Sequence, residues 1–126
     1  MKNFLIAVAG VLTSSCVFAA GSAVCAAPTT AGNGTTIDSS FANTGGGTAF
    51  VVNSFTPKCS AKVHLAFEQN TTAAAVASGS SAGSKLFTGS TNGGSVAPTT
   101  TTYANGVGAG DATGATAAAL AAGSSG

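Results

Sequence analysis

The run from Cys59 to Glu68 (CSAKVHLAFE) constrains this chain more than any other segment. Cys59, Ala61, Val63, Leu65 and Phe67 occupy one set of alternate positions, and Ser60, Lys62, His64, Ala66 and Glu68 the other. Successive strand residues point to opposite faces, so this period of two predicts a half-buried strand. A helix would scatter the same side chains around its circumference. The apolar set is the core face in this reading. The other set is a solvated face with a mild attraction between Lys62 and Glu68.

Other strand signals surround this one. Residues 48–56 (TAFVVNSFT) read as the first strong strand, with apolar groups on both faces, and Pro57 ends it. Thr35 to Ile37 reads as a short strand. Residues 73–78 read as a helix turn or a weak strand, and 85–88 as a second-rank strand. Val96 to Tyr103 is Thr-rich, and Pro98 demotes it to a sheet edge. Turn signals at Asn33-Gly34, Gly45-Gly46-Gly47, Asn92-Gly93 and Asn105-Gly106 punctuate the chain. From Val107 onward the sequence is almost wholly Gly, Ala, Thr and Ser. The six residues from Ala117 to Ala122 hold a single Leu, too little to keep a helix in water. The expected class is therefore all-β, with a strand-rich domain over 20–106 and a low-complexity tail over 107–126. Phe50, Val52, Val63, Leu65 and Phe67 are the expected core.

That core is small. Ala, Gly, Thr and Ser supply 78 of the 126 residues, and the chain from Ala20 onward has only 16 Leu, Ile, Val and Phe. A net charge of +1 gives none of the self-repulsion that keeps disordered chains apart. Such a chain is expected to order a part of its length only, or to complete its core with neighbouring molecules. Its four Lys are scattered and it has no Arg, which excludes nucleic acid and an anionic membrane surface as partners.

The first 19 residues carry the order of an export signal. Lys2 gives a positive start, Phe4 to Leu12 an apolar run of nine, and Val17-Phe18-Ala19 a site for cleavage before Ala20. Nine apolar residues are fewer than the ~20 a spanning helix needs, so no membrane segment is expected after signal removal. Lipidation at Cys16 is the competing reading, and Thr13 stands where that motif wants Leu. A later cut after Val24-Cys25-Ala26 also satisfies the small-residue rule. The expected location is secreted or cell-surface, by way of the periplasm. Removing the signal removes Cys16 and leaves Cys25 and Cys59, an even pair in an oxidising compartment. A bridge between them would close a loop of about 35 residues and contribute roughly 3–4 kcal/mol.

Candidate chemistry is sparse. The acid–base groups are His64, Asp38, Asp111 and Glu68, and only His64 flanked by Lys62 and Glu68 offers a general base. Gly79-Ser80-Ser81-Ala82-Gly83 matches a nucleophile elbow in letters, without the helix that should follow. Cys25, Cys59, His64 and a carboxylate lack metal-ligand spacing, and a bridge would occupy both thiols. The Gly-rich runs lack the Lys and helix of a phosphate loop. No catalytic residue, metal or cofactor is assigned, and an enzyme is not expected.

Cys25, the turn-rich stretch after it, and the run from Ala49 through Cys59 to Phe67 resemble the first half of pilin subunits. The families are bacterial chaperone–usher fimbriae, including the spore-coat-U-like branch, and the resemblance covers about residues 20–70. It implies an immunoglobulin-like incomplete sandwich whose missing strand a neighbour supplies. Its partners would be copies of itself, with an export or assembly chaperone. The chain departs from that pattern in having five residues, Ala20 to Val24, before Cys25, and a C-terminus (AAALAAGSSG) without an alternating aromatic strand. The expectation is an exported structural subunit of an extracellular fibre, with Thr99 to Tyr103 or the Ala-rich tail as the donated segment. The alternative is a small secreted or periplasmic monomer that binds a ligand.

Overall fold

A computed structural model describes residues 21–27, 30–93 and 95–123. The export signal, with its cleavage site and Cys16, lies outside the described residues. The chain runs β1 (Ser22–Ala26), β2 (Gly32–Asn33), β3 (Lys58–Cys59), β4 (Val63–Gln69), β5 (Ala74–Ser80), β6 (Leu86–Ser90), β7 (Ala97–Pro98) and α1 (Ala109–Gly123). Five strands form one antiparallel sheet in the order β1-β4-β5-β6-β7, and β2 and β3 pair separately. The expected β-rich class holds, with one helix added.

The strongest sequence signal is realised in two pieces. Cys59 closes β3, the chain turns at Ala61-Lys62 with Lys62 at a φ of 62°, and β4 starts at Val63. Within β4 the alternation is as expected. Phe67 is buried, and Leu65 packs against the cluster of Val24, Cys25, Ile37, Cys59, Phe67 and Ala74. Val63 is half-buried. The opposite face is not solvated, because α1 lies over it. Ala66 is wholly buried and Glu68 is 3% exposed.

Residues 48–56 do not form a strand. Among the described residues their one ladder contact is a bridge between Ile37 and Phe55, and Ile37 is buried. Three successive large side chains cannot all face one core, and here Val51 packs inward while its neighbours turn out. Phe50 is 43% and Val52 77% exposed, so neither belongs to the expected core. By contrast, residues 73–78 give the central strand β5, and Pro98 sits in the edge strand β7 as expected.

The segment from Val107 is no tail. Val107 is buried, and α1 packs on β1, β4, β5 and β6. Eight of its fifteen residues are Ala, the best helix former. Asp111 accepts a hydrogen bond from the Gly108 N–H at 2.8 Å, the carboxylate half of a capping box at the helix start. Tertiary packing supplies what the isolated segment lacks. Leu120 is buried with Ala73 and Ala75, and Ala112 with Ala66, Ala77, Leu86 and Val107. A Cβ on Gly79 would come within 2.8 Å of Val107, and one on Gly21 within 2.9 Å of Thr116. Small residues thus build this core by close approach rather than by volume.

Candidate functional site

The disulfide expected between Cys25 and Cys59 is present, with a Cα separation of 5.7 Å. It ties β1 of the large sheet to β3 of the small one and fastens the loop layer, residues 30–57, over the half of the sheet formed by β1 and β4. Gly34 fits beneath it, since a Cβ there would lie 2.9 Å from the Cys59 sulfur.

Gln69 completes this fastening. It extends the Leu65–Phe67 face by one step and is wholly buried. Its Nε2 donates to the carbonyls of Asp38 (2.8 Å) and Phe41 (2.9 Å), and its Oε1 accepts from the Val51 N–H (2.9 Å). The side-chain amide is therefore satisfied in burial, as a buried polar group requires. Its backbone bonds Ala42 and Thr44. Asp38 shapes the start of the same loop by accepting from Ser40 N, Ser40 Oγ and Phe41 N. The Ser40 bonds foremost hold its carboxyl below the usual carboxylate range. Phe41 then sets its ring 6.3 Å from that of Phe67.

The loop layer stops short of β5 and β6. Beyond Phe67 the same sheet face carries Val76 (38% exposed), paired with Gly89, and next along it Phe87 (46%), paired with Ser78. Val76, with Phe50, Val51, Phe67 and Val96, borders an open groove of about 370 Å³ whose walls are almost wholly apolar. A Cβ on Gly89 would lie 2.9 Å from the Val96 side chain, so this glycine lets Val96 close one wall. The Thr91 hydroxyl in the wall is engaged with the Ala74 N–H at 2.9 Å. β7, at two residues, caps the adjacent sheet edge, and Pro98 within it offers no N–H to a further strand. The groove can bury apolar surface. Its lining carries the hydroxyls of Ser90 and Thr91 and no Asp, Glu, His, Lys or Cys.

The candidate catalytic groups do not converge. His64 and Glu68 share a face of β4 but stand four residues apart, about 13 Å along a strand. Ser81 lies in the turn between β5 and β6, with its N–H on the Lys62 carbonyl at 2.8 Å, so the elbow match sits in a strand–turn–strand. Among the described residues no group of three His, Cys, Asp or Glu could hold a metal ion, and no helix is long and apolar enough to cross a membrane. Gly106, at a φ of 86°, serves a turn: a Cβ there would meet the Ser81 carbonyl oxygen at 1.9 Å.

Both segments expected as donors are engaged within the chain. Thr99 and Tyr103 donate backbone bonds to Leu86 and Ser84, Lys85 donates to the Thr102 hydroxyl at 2.9 Å, and the Ala-rich segment is α1. Sequence reading missed Gln69, Val76, Phe87 and Val96. A Gln continuing the apolar alternation past Phe67 was the available signal for the first; the lone Val in AAVASGS was that for the second.

No protein-family model, curated protein or solved structure matches this chain.

Proposed function

We propose that this chain is an exported structural subunit of an extracellular fibre or pilus-like surface appendage, and that copies join by adding an extended segment of one to the groove of the next. The observation that carries the reading is the uncovered apolar half-sheet between the loop layer and β7. Buried apolar groups cover the rest of the same face, so the gap amounts to a missing piece of one layer. Exposed apolar surface that is contiguous rather than scattered marks an interaction site.

The neighbour's residues 52–56 suit the gap. They have strand composition, yet their ladder contact in their own chain is the single bridge at Phe55. Val52 and Phe55 project from them at 77% and 49% exposure. A projection on one side and a groove on another make a head-to-tail contact, which extends into an open filament unless its rotation closes. The disulfide fits an oxidising compartment, and the export signal read from the first 19 residues supplies the route. Electron microscopy of the secreted protein tests the reading: filaments are expected, and a monodisperse monomer overturns it.

The size of the groove favours a second reading, a monomeric binding module, because ligand pockets occupy roughly 300–1,000 Å³. That reading predicts a monomer that takes up one apolar dye molecule per chain.

A further inference from the structure

Three Asn-Gly steps, Asn33-Gly34, Asn92-Gly93 and Asn105-Gly106, recur in the chain. The dipeptide carries a chemistry of its own. When the Gly amide nitrogen reaches the side-chain carbonyl carbon of the Asn, it displaces ammonia and closes a five-membered succinimide. Glycine favours the attack because it has no Cβ to obstruct it and its backbone turns freely. A folded chain blocks the reaction wherever the Gly N–H is already engaged or the peptide has no room to turn.

Asn33-Gly34 is held at both residues. Asn33 pairs with Lys58 in the β2–β3 ladder, and its side-chain Oδ1 accepts from the Lys58 Nζ. The Gly34 N–H donates to the Pro57 carbonyl at 2.8 Å, and Gly34 lies against the Cys59 sulfur. Asn105-Gly106 is held at its glycine. The Gly106 N–H donates to the Tyr103 carbonyl at 3.3 Å, and the Ser81 carbonyl crowds Gly106 from the other side. The next N–H, that of Val107, donates to the Ser80 carbonyl at 3.1 Å. Asn92-Gly93 differs on each count. Both residues are exposed, and a Cβ built on Gly93 would meet nothing within 4 Å. The Asn92 N–H donates to the Ser90 hydroxyl at 3.3 Å. Among the described residues, the Asn92 carboxamide and the Gly93 N–H have no hydrogen-bond partner. Gly93 also holds a φ of 119°, in the region that favours glycine.

We propose that Asn92-Gly93 is a site of spontaneous deamidation and that the fold protects the other two steps. The Gly93 nitrogen bonds to Cγ of Asn92, and the side-chain nitrogen leaves as ammonia, taking the proton that the Gly93 nitrogen gives up. Water then adds to one of the two imide carbonyls and breaks its bond to nitrogen. Opening at Cγ leaves aspartate; opening at the main-chain carbonyl leaves isoaspartate. Water is the co-reactant, and nothing is oxidised or reduced. The product stands between two openings of the sheet. Asn92 borders a cleft of about 300 Å³ beside Ala119 and Ala122 of α1, and its neighbour Thr91 lines the apolar groove. Conversion sets a carboxylate there and removes the chain's formal net charge of +1. Isoaspartate also adds a methylene to the main chain ahead of Val96, which walls the groove. The chemistry is the same for a fibre subunit and for a monomer, so it does not rest on the reading above.

Peptide mapping of the folded, disulfide-bonded chain after timed incubation in mildly alkaline buffer tests the assignment, with aspartyl and isoaspartyl products separated. Asn92 should convert at least about tenfold faster than Asn33 or Asn105, the factor set by having to break a backbone hydrogen bond first. In the reduced chain in urea the three steps should convert at similar rates. A preference for Asn92 that survives unfolding would overturn the protection, because flanking sequence would then select the site. Equal rates at the three steps in the folded chain, or no conversion at Asn92 while the unfolded chain reacts, overturn the assignment. Asn92→Gln should abolish the early acidic species on ion exchange, and its persistence in that variant would place the reaction elsewhere.

Discussion

The two faces of the five-stranded sheet are built on opposite principles. The helix side is made of Ala66, Ala75, Ala77, Gly79 and Ala112, with Leu86, Val107 and Leu120 as its larger groups, and all of these but Gly79 form its buried clusters. The loop side carries the rings and branched chains, Phe41, Val51, Leu65, Phe67, Val76 and Phe87, and leaves the last two partly in water. Small side chains let a helix approach closely over β4 and β5, and a mixed polar and apolar cleft of about 300 Å³ remains where Ala119 and Ala122 face the β6–β7 edge. Large ones under an irregular loop cover only as far as the loop extends. The composition that looked short of core material closes the centre of the first face and leaves a wide apolar gap on the second.

Removing the loop-side staple should have the largest effect on stability. Cys25→Ser with Cys59→Ser should cost about 3–4 kcal/mol by urea unfolding, and should free the loop layer while α1 keeps its amide protection. Loss of protection in both layers together would show that the two faces are one cooperative unit. Next, Leu86→Ala on the helix side should cost about 3 kcal/mol, since the residue is wholly buried. Gly79→Val follows at about 2 kcal/mol, because its side chain must displace Val107. Val76→Ser and Val96→Ser on the open half should each stay within about 0.5 kcal/mol. If those two proved as costly as Leu86→Ala, the groove would be core and the contrast would fail.

The faces also differ in the sign of their pH dependence. Asp38 on the loop side has a lowered carboxyl, so its contribution is present above the ordinary carboxylate range and is lost as pH falls through the lowered value. Glu68 on the helix side has a raised one, so without a counter-charge its contribution is present at low pH and is lost as pH rises. Unfolding midpoints against pH for Asp38→Asn and Glu68→Gln should flatten opposite ends of the profile. Flattening at the same end would contradict the assignment.

How legible each face was in the sequence follows from the same contrast. Alternation over 59–68 identified Leu65 and Phe67, the pair of cysteines left without Cys16 identified the bridge, and Pro98 identified the edge. Each of these is a local rule with a local cause. The helix escaped because its cause is not local. Residues 109–123 bury a small-residue face that only a sheet lined with Ala and Gly can receive, and Gly79 against Val107 joins positions far apart in sequence. The Gly108–Asp111 cap was readable as a start signal and went unused. Residues 48–56 misled because strand composition was mistaken for strand pairing. Gln69 and Asn70 hold that segment by single bonds to Val51 and Phe50, and no periodicity announces such a role. The groove, being what the loop fails to cover, was invisible for the same reason.

The central claim is that the uncovered half-sheet of one chain receives residues 52–56 of another. A mixing experiment tests it most directly. Val96→Lys spoils the groove and spares the projection; Val52→Lys does the reverse. Measured by sedimentation, the wild-type mature chain should form polymers, and each variant alone should remain a folded monomer with an unchanged melt. The two variants together should form one-to-one dimers and stop there, because each pair has a single sound groove facing a single sound projection. A wild-type chain that stays monomeric at high concentration, or variants that polymerise as the wild type does, would contradict the account.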